Sequence, residues 1–209
     1  TEDIEIMAAI TPSDKPYLKT GVLETWRSRI IWLMLLMVSA TFTSRILTHF
    51  EDALASLPIL VAFVPQLMDT GGNAGGQASV SVIRALSLGD IQMKDFMRVL
   101  WKEFRVALLC GLTLAVVNFV KMMIFNDVSR SVYGVSMSLI ISAVVCVTIA
   151  LAVVIAKVIG SMLPILAKRI GFDPAVMASP LITTIVDVVS LLVYFLISTT
   201  VLSHAGLAL

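Results

Sequence analysis

The sequence predicts an all-α membrane protein that crosses the bilayer five times. Three observations carry that prediction. Apolar residues make up 58% of the 209 and charged residues 14%, against roughly 45–50% and 25% in soluble domains. The apolar residues gather in five runs, and about 20 helical residues suffice to cross a bilayer core. The Lys and Arg residues fall unevenly between the loops on the two sides.

The same composition excludes several classes. A net charge of +1 supplies no basic field for nucleic acid. Cys110 and Cys146 both lie inside apolar runs without metal-ligand spacing, so they read as packing residues rather than a disulfide or a zinc site. His49 and His204 flank membrane segments singly, which leaves no histidine metal site. Residues 1–20 are polar and acidic where a signal peptide would be basic and then apolar. A chain that opens on Thr rather than Met is expected to be a piece of a longer one, with a soluble region upstream.

Residues 1–20 precede the membrane domain, expected over 21–209. Glu2, Asp3 and Glu5 stand beside Ile4, Ile6 and Met7, as in a short helix with acid on its first turn. A solvated helix start is the plain alternative to a functional acidic cluster. Pro12 and Pro16 make an extended link. Trp26, Arg27 and Arg29 anchor the interface before a first span over 30–47, and Arg45 snorkels at its far end.

The second segment, 53–88, would be about 54 Å long as one helix, so a tilted, bent or broken span is expected. Pro58, Pro65 and the run Asp69-Thr70-Gly71-Gly72-Asn73-Ala74-Gly75-Gly76-Gln77 interrupt it. Its glycines carry two compatible readings. Gly71/Gly75 and Gly72/Gly76 are GxxxG pairs that allow close helix approach. With Asp69, Asn73 and Gln77 they also expose oxygens to a polar cavity, as discontinuous transporter helices do.

Residues 84–105 form a basic amphipathic connection. A third span follows over 106–125 and a fourth over 135–159, the latter dotted with Ser136, Ser138, Ser142 and Thr148, as helix-packing surfaces often are. The fifth span, 175–200, places Ser179, Thr183, Asp187, Ser190 and Tyr194 on one helical face. A carboxylate at the depth of Asp187 costs roughly 2.5–3.5 kcal/mol on insertion scales, so it should face a partner, a cavity or an ion. A hydroxyl on a neighbouring helix would satisfy it; a pore or transport site is the sharper reading.

Five spans put Lys15, Lys19, Arg27, Arg29, Arg84, Lys94, Arg98, Lys102, Arg105, Lys157, Lys168 and Arg169 on one side, twelve of the fifteen basic residues. The positive-inside rule makes that side, with the amino end, cytoplasmic and the carboxyl end external.

The run Pro65 to Ser79, followed by Ile83-Arg84-Ala85-Leu86, resembles the second membrane helix of the MgtE magnesium channels. Asp173-Pro174-Ala175, Ser179-Pro180, Thr183-Thr184 and Asp187 are similar to that family's last helix. Thr1 to Leu18 resembles the end of its cytoplasmic plug helix and the approach to the first span. One departure is visible: the family usually has a polar residue, often Asn, where this chain has Gly76. The resemblance implies a homodimer in the plasma membrane, with one central pore lined by the second and fifth helices of each subunit. It also implies cytosolic N and CBS domains that sense magnesium, with Mg²⁺ as both transported ion and regulatory ligand. By position, Asp187 corresponds to the pore aspartate, with Ser179, Thr183, Asp69, Gly72, Asn73 and Gly76 lining the pore. Asp173, Glu2 and Asp3 correspond to acidic positions for a gating metal at the cytoplasmic mouth.

Mg²⁺ demands octahedral geometry and sheds water reluctantly, so a channel selects it most simply by hydrogen-bonding its waters. Two Asp187 carboxylates across a two-fold axis suit that task, since they only accept. Pro180 lacks an N–H and would leave the carbonyl of Val176 free to accept as well. An ion-coupled secondary divalent-cation carrier could use Asp69 and Asp187 as a relay, but an odd span count without inverted repeats argues against it. An intramembrane aspartyl enzyme would need a second motif, which is absent from the sequence. A purely structural dimerising domain would explain GxxxG and not the polar face.

Overall fold

The computed structural model describes residues 6–8, 10–11, 16–125, 128, 130–177 and 179–204, and among them it is all-helical, without a strand. Five long helices carry the chain: α1 (Val22–His49), α2 (Ile59–Ser87), α3 (Phe96–Phe125), α4 (Val135–Arg169) and α5 (Ser179–His204). Short helical pieces at Glu51–Ser56, Arg130–Tyr133 and Pro174–Met177 lie between them. At 1.5 Å per residue the long helices measure about 39–52 Å, more than a hydrocarbon core of about 30 Å.

Four of these helices, α1, α3, α4 and α5, are long and apolar enough to cross a membrane. α2 has the length but not the apolarity, because Gln66, Asp69, Asn73, Gln77 and four glycines replace apolar residues along it.

The connections are shorter than the sequence pattern suggests. The basic stretch 84–105 is mostly helix: α2 runs to Ser87 and α3 begins at Phe96. α2 stops because Gly89 takes a φ of +76°, open to glycine at no steric cost, and the turn closes with Gly89 N–H on Leu86 O and Asp90 N–H on Ala85 O. α3 is then announced by a reciprocal cap. Asp95 accepts from the Gln92 N–H at 3.0 Å, and Asp95 N–H donates back to Gln92 O at 2.9 Å.

α4 differs most from expectation. It does not end near Ile159 but continues through Pro164 to Arg169, where Gly171 (φ +82°) repeats the same left-handed turn. Phe172 N–H bonds Ala167 O and Gly171 N–H bonds Lys168 O. The basic stretch 157–169 is therefore helical, and Lys157 lies twelve residues inside the helix end. α5 begins later than expected, at Ser179, after the separate turn Pro174–Met177.

α2, α4 and α5 pack against one another at the centre, α3 lies on α4, and α1 runs along α5. At one end Leu60, Leu67, Met122, Ile141, Val145, Leu191 and Phe195 form the largest apolar cluster. Tyr194 is fully buried there, and its hydroxyl donates to Leu60 O at 2.9 Å. The middle layer is smaller (Ala74, Val153, Ala156, Ile182 and Val186), and Val82, Leu86 and Ile165 close the other end. Lys168 ties that end together by donating to the Leu86 carbonyl at 3.3 Å. α1 by contrast buries only Ile46.

Candidate functional site

The thin middle layer exists because glycines bring helices together there. A Cβ on Gly72 would stand 2.9 Å from the Thr183 methyl, and one on Gly75 would stand 2.9 Å from Ile182 and 3.2 Å from the Ala156 carbonyl oxygen. A Cβ on Gly71 would meet Val186 and the Ser190 hydroxyl, both at 3.0 Å. On α4, a Cβ on Gly160 would fall on the carbonyl oxygen of Gly75. α2 thus touches α5 and α4 nearly backbone to side chain and backbone to backbone, the close approach that small residues permit in membranes. Gly76 is buried in the same stretch.

This seam sets two carboxylates near each other. Among the described residues, Asp187 Oδ1 of α5 is buried without a hydrogen-bond partner. Asp69 of α2 lies close enough for the two negative charges to repel. Asn73, one turn along, donates from Nδ2 to Asp69 Oδ1 at 3.1 Å and holds that carboxylate in place. Asp69, Asn73 and Gln77 form an exposed polar stripe at i, i+4 and i+8 on α2. Beside it opens a cavity of about 520 Å³, lined also by Thr70, Thr113 of α3 and Lys157 of α4. Among the described residues, no three of His, Cys, Asp or Glu gather as a cage for a bare metal ion. The arrangement offers acceptors to water or to a hydrated cation rather than a complete inner coordination shell.

The remaining residues singled out from the sequence are placed as follows. Thr183 faces Gly72 across the seam. Asp173 is exposed at the start of the turn before α5, where its Oδ1 accepts from the Ala175 N–H at 2.8 Å. Glu2 and Asp3 lie outside the described residues, as does the side chain of Ser179. Pro180 does not free a helical carbonyl at Val176. It sits in the first turn of α5, where N–H groups have no intrahelical acceptor in any case, and Val176 belongs to the preceding turn. Tyr194 leaves the expected polar face for the core, where it satisfies Leu60. Lys157 lies on the wall of this cavity, whereas a fourth span ending at 159 makes it an interfacial charge. The signal that would have found it is the next left-handed stop, Gly171.

Long apolar helices with carboxylates, amides and an ammonium between them define a polytopic membrane protein with a polar interior. Residues 64–197 match the family model described as MgtE, divalent cation transporter. The chain is 39% identical over 194 residues to the magnesium transporter MgtE of Thermus thermophilus, covering 93% of this chain and 41% of that protein. It is 32% identical over 171 residues to the magnesium transporter MgtE of Bacillus subtilis, covering 82% and 36%. For the magnesium transporter MgtE of Enterococcus faecalis the identity is 30% over 174 residues, covering 83% and 36%. The chain belongs to the MgtE family of divalent cation transporters. It spans about two fifths of the length of these relatives.

Proposed function

We propose that this chain is the membrane domain of a Mg²⁺-selective channel that admits magnesium through the plasma membrane. In this reading two copies face each other across a two-fold axis, α2 also crosses the bilayer, and the α2 and α5 helices of each copy line one pore. The observation that carries it is Asp187, whose Oδ1 is buried and, among the described residues, unpaired beside the like charge of Asp69. Two carboxylates kept together at membrane depth are costly without a cation and favourable with one. The exposed stripe of Asp69, Asn73 and Gln77 supports the dimer, since such a face is too polar for lipid and suits a water-filled path. The relatives' printed name, magnesium transporter, supports the ion.

A hydrated Mg²⁺ would be held through its waters by the Asp187 carboxylates, with Asn73 positioning Asp69 nearby. The amino end and the basic helix ends would face the cytoplasm and the carboxyl end the outside. Regulation would come from cytosolic N and CBS domains, with Asp173, Glu2 and Asp3 holding a gating Mg²⁺ at the inner mouth. Asp173 keeps one carboxylate oxygen free of the bond to Ala175 for that purpose.

The test is Mg²⁺ flux and binding in liposomes for the intact sequence and for Asp187→Ala, both checked for folding. Flux and affinity should fall by about 10- to 100-fold, the scale of a lost charge-assisted contact. A folded Asp187→Ala protein that binds and passes Mg²⁺ normally would sink the reading and move the search to Asp69 and Asn73. Unitary currents would distinguish the channel from an ion-coupled carrier.

A further inference from the structure

Lys157 is 6% exposed and makes no hydrogen bond or ion pair with any described residue, yet its ammonium is not among the sealed polar atoms and so opens on the cavity. It stands on the wall of the cavity that Asp69, Asn73, Gln77 and Thr113 also line. An ammonium twelve residues inside a membrane helix is costly to keep. No carboxylate of the described residues comes within 4.0 Å of it, whereas Asp69 lines the same cavity and lies near enough to Asp187 for their charges to repel.

We propose that Lys157 is a tethered counter-charge in the cation path, an affinity-setting residue that weakens the hold of Asp69 and Asp187 on Mg²⁺ so that the ion can leave. The inference rests on the channel reading above. Asp69, Asp187 and Lys157 together carry a net charge of −1 in each copy, with the Lys121 ammonium engaged by Gln66 one turn away, and two copies facing one pore would match these three groups to a single divalent ion. Without the ammonium the path would carry twice that charge and retain the ion. Conduction requires binding that is favourable enough for entry and weak enough for exit. An ammonium some way from the ion acts through its field, which at cavity distances changes affinity on the order of tenfold.

Lys157→Met, Lys157→Arg and the pair Lys157→Met/Asp69→Asn would be compared with the unaltered chain in two measurements, equilibrium Mg²⁺ binding in detergent and Mg²⁺ flux in liposomes. The expected result for Lys157→Met is binding about tenfold tighter, with a lower half-saturating concentration and a lower maximal flux. Lys157→Arg should stay near the unaltered protein, and the double substitution should bind Mg²⁺ less tightly than Lys157→Met alone, because it removes one of the negative charges that the ammonium offsets. A purely structural lysine would change stability and leave affinity alone, or would lower affinity and flux together. If Lys157→Met fails to fold, Lys157→Gln carries the same expectation. Affinity within twofold of the unaltered chain in a folded, conducting variant overturns the proposal while leaving the channel reading intact. So does a double substitution that binds as tightly as Lys157→Met alone. An unaltered chain that neither binds nor passes Mg²⁺ overturns both.

Discussion

Gly160 can be nothing larger, since the point where its Cβ would stand is already occupied by the Gly75 carbonyl. Gly160→Ala should lower stability in detergent by about 1–3 kcal/mol, the usual cost of overpacking. Gly21→Ala, with nothing within 4 Å, should not. A drop in melting temperature for the first and none for the second checks this. Tyr194→Phe removes the buried donor to Leu60 O and should cost about 1–2 kcal/mol without changing ion preference. A shift in permeability ratios for that variant would show that the hydroxyl touches the path. At this scale the sequence was partly legible. The GxxxG spacing announced close packing, and Asp187 stood out by its cost in an apolar run. Which helix each glycine meets could not be read, because that depends on rotation and tilt, which no local spacing records. Tyr194 misled for the same reason: helical periodicity placed it with Thr183 and Asp187, but a long side chain reaches sideways into the core.

The helices themselves were easier to foresee than their ends. Apolar runs locate the bilayer-crossing part of a helix, whereas the stop is written in backbone chemistry beyond it. Gly89 and Gly171 end α2 and α4 with the same left-handed turn and the same pair of backbone bonds. Alanine at either position should cost about 1 kcal/mol, because a residue with a Cβ resists that conformation. Thermal unfolding of Gly89→Ala and Gly171→Ala against the unaltered chain checks this, with similar losses expected for the two matched turns. α4 runs straight through Pro164, carried by the surrounding packing. That extension moves Lys157 from the membrane interface to the wall of the cavity, so an error in one boundary hid a candidate functional residue.

At the scale of the molecule, α2, α4 and α5 form a tight centre, with α3 against α4 and α1 lightly attached to α5. In the proposed dimer a second copy would cover the polar stripe on α2. The reconstituted 209-residue chain should therefore run as a dimer in detergent-corrected light scattering, and a stable, active monomer would contradict the pore arrangement. The same polypeptide, tested alone, should respond to internal Mg²⁺ less than a protein that also carries cytosolic sensor domains. Flux measured at rising internal Mg²⁺ checks that difference. The all-helical, membrane-crossing character was legible in the apolar runs; the polar seam was legible only in part, because it is assembled from residues on separate helices. Side chains at most helix interfaces can exchange rotamers and let the helices slip by small steps. Where α2 meets α4 through Gly75 and Gly160, there are no rotamers to exchange. These two helices form a joint without bearings: they travel together or not at all, and any gate in this domain has to swing elsewhere, where the contacts are fewer.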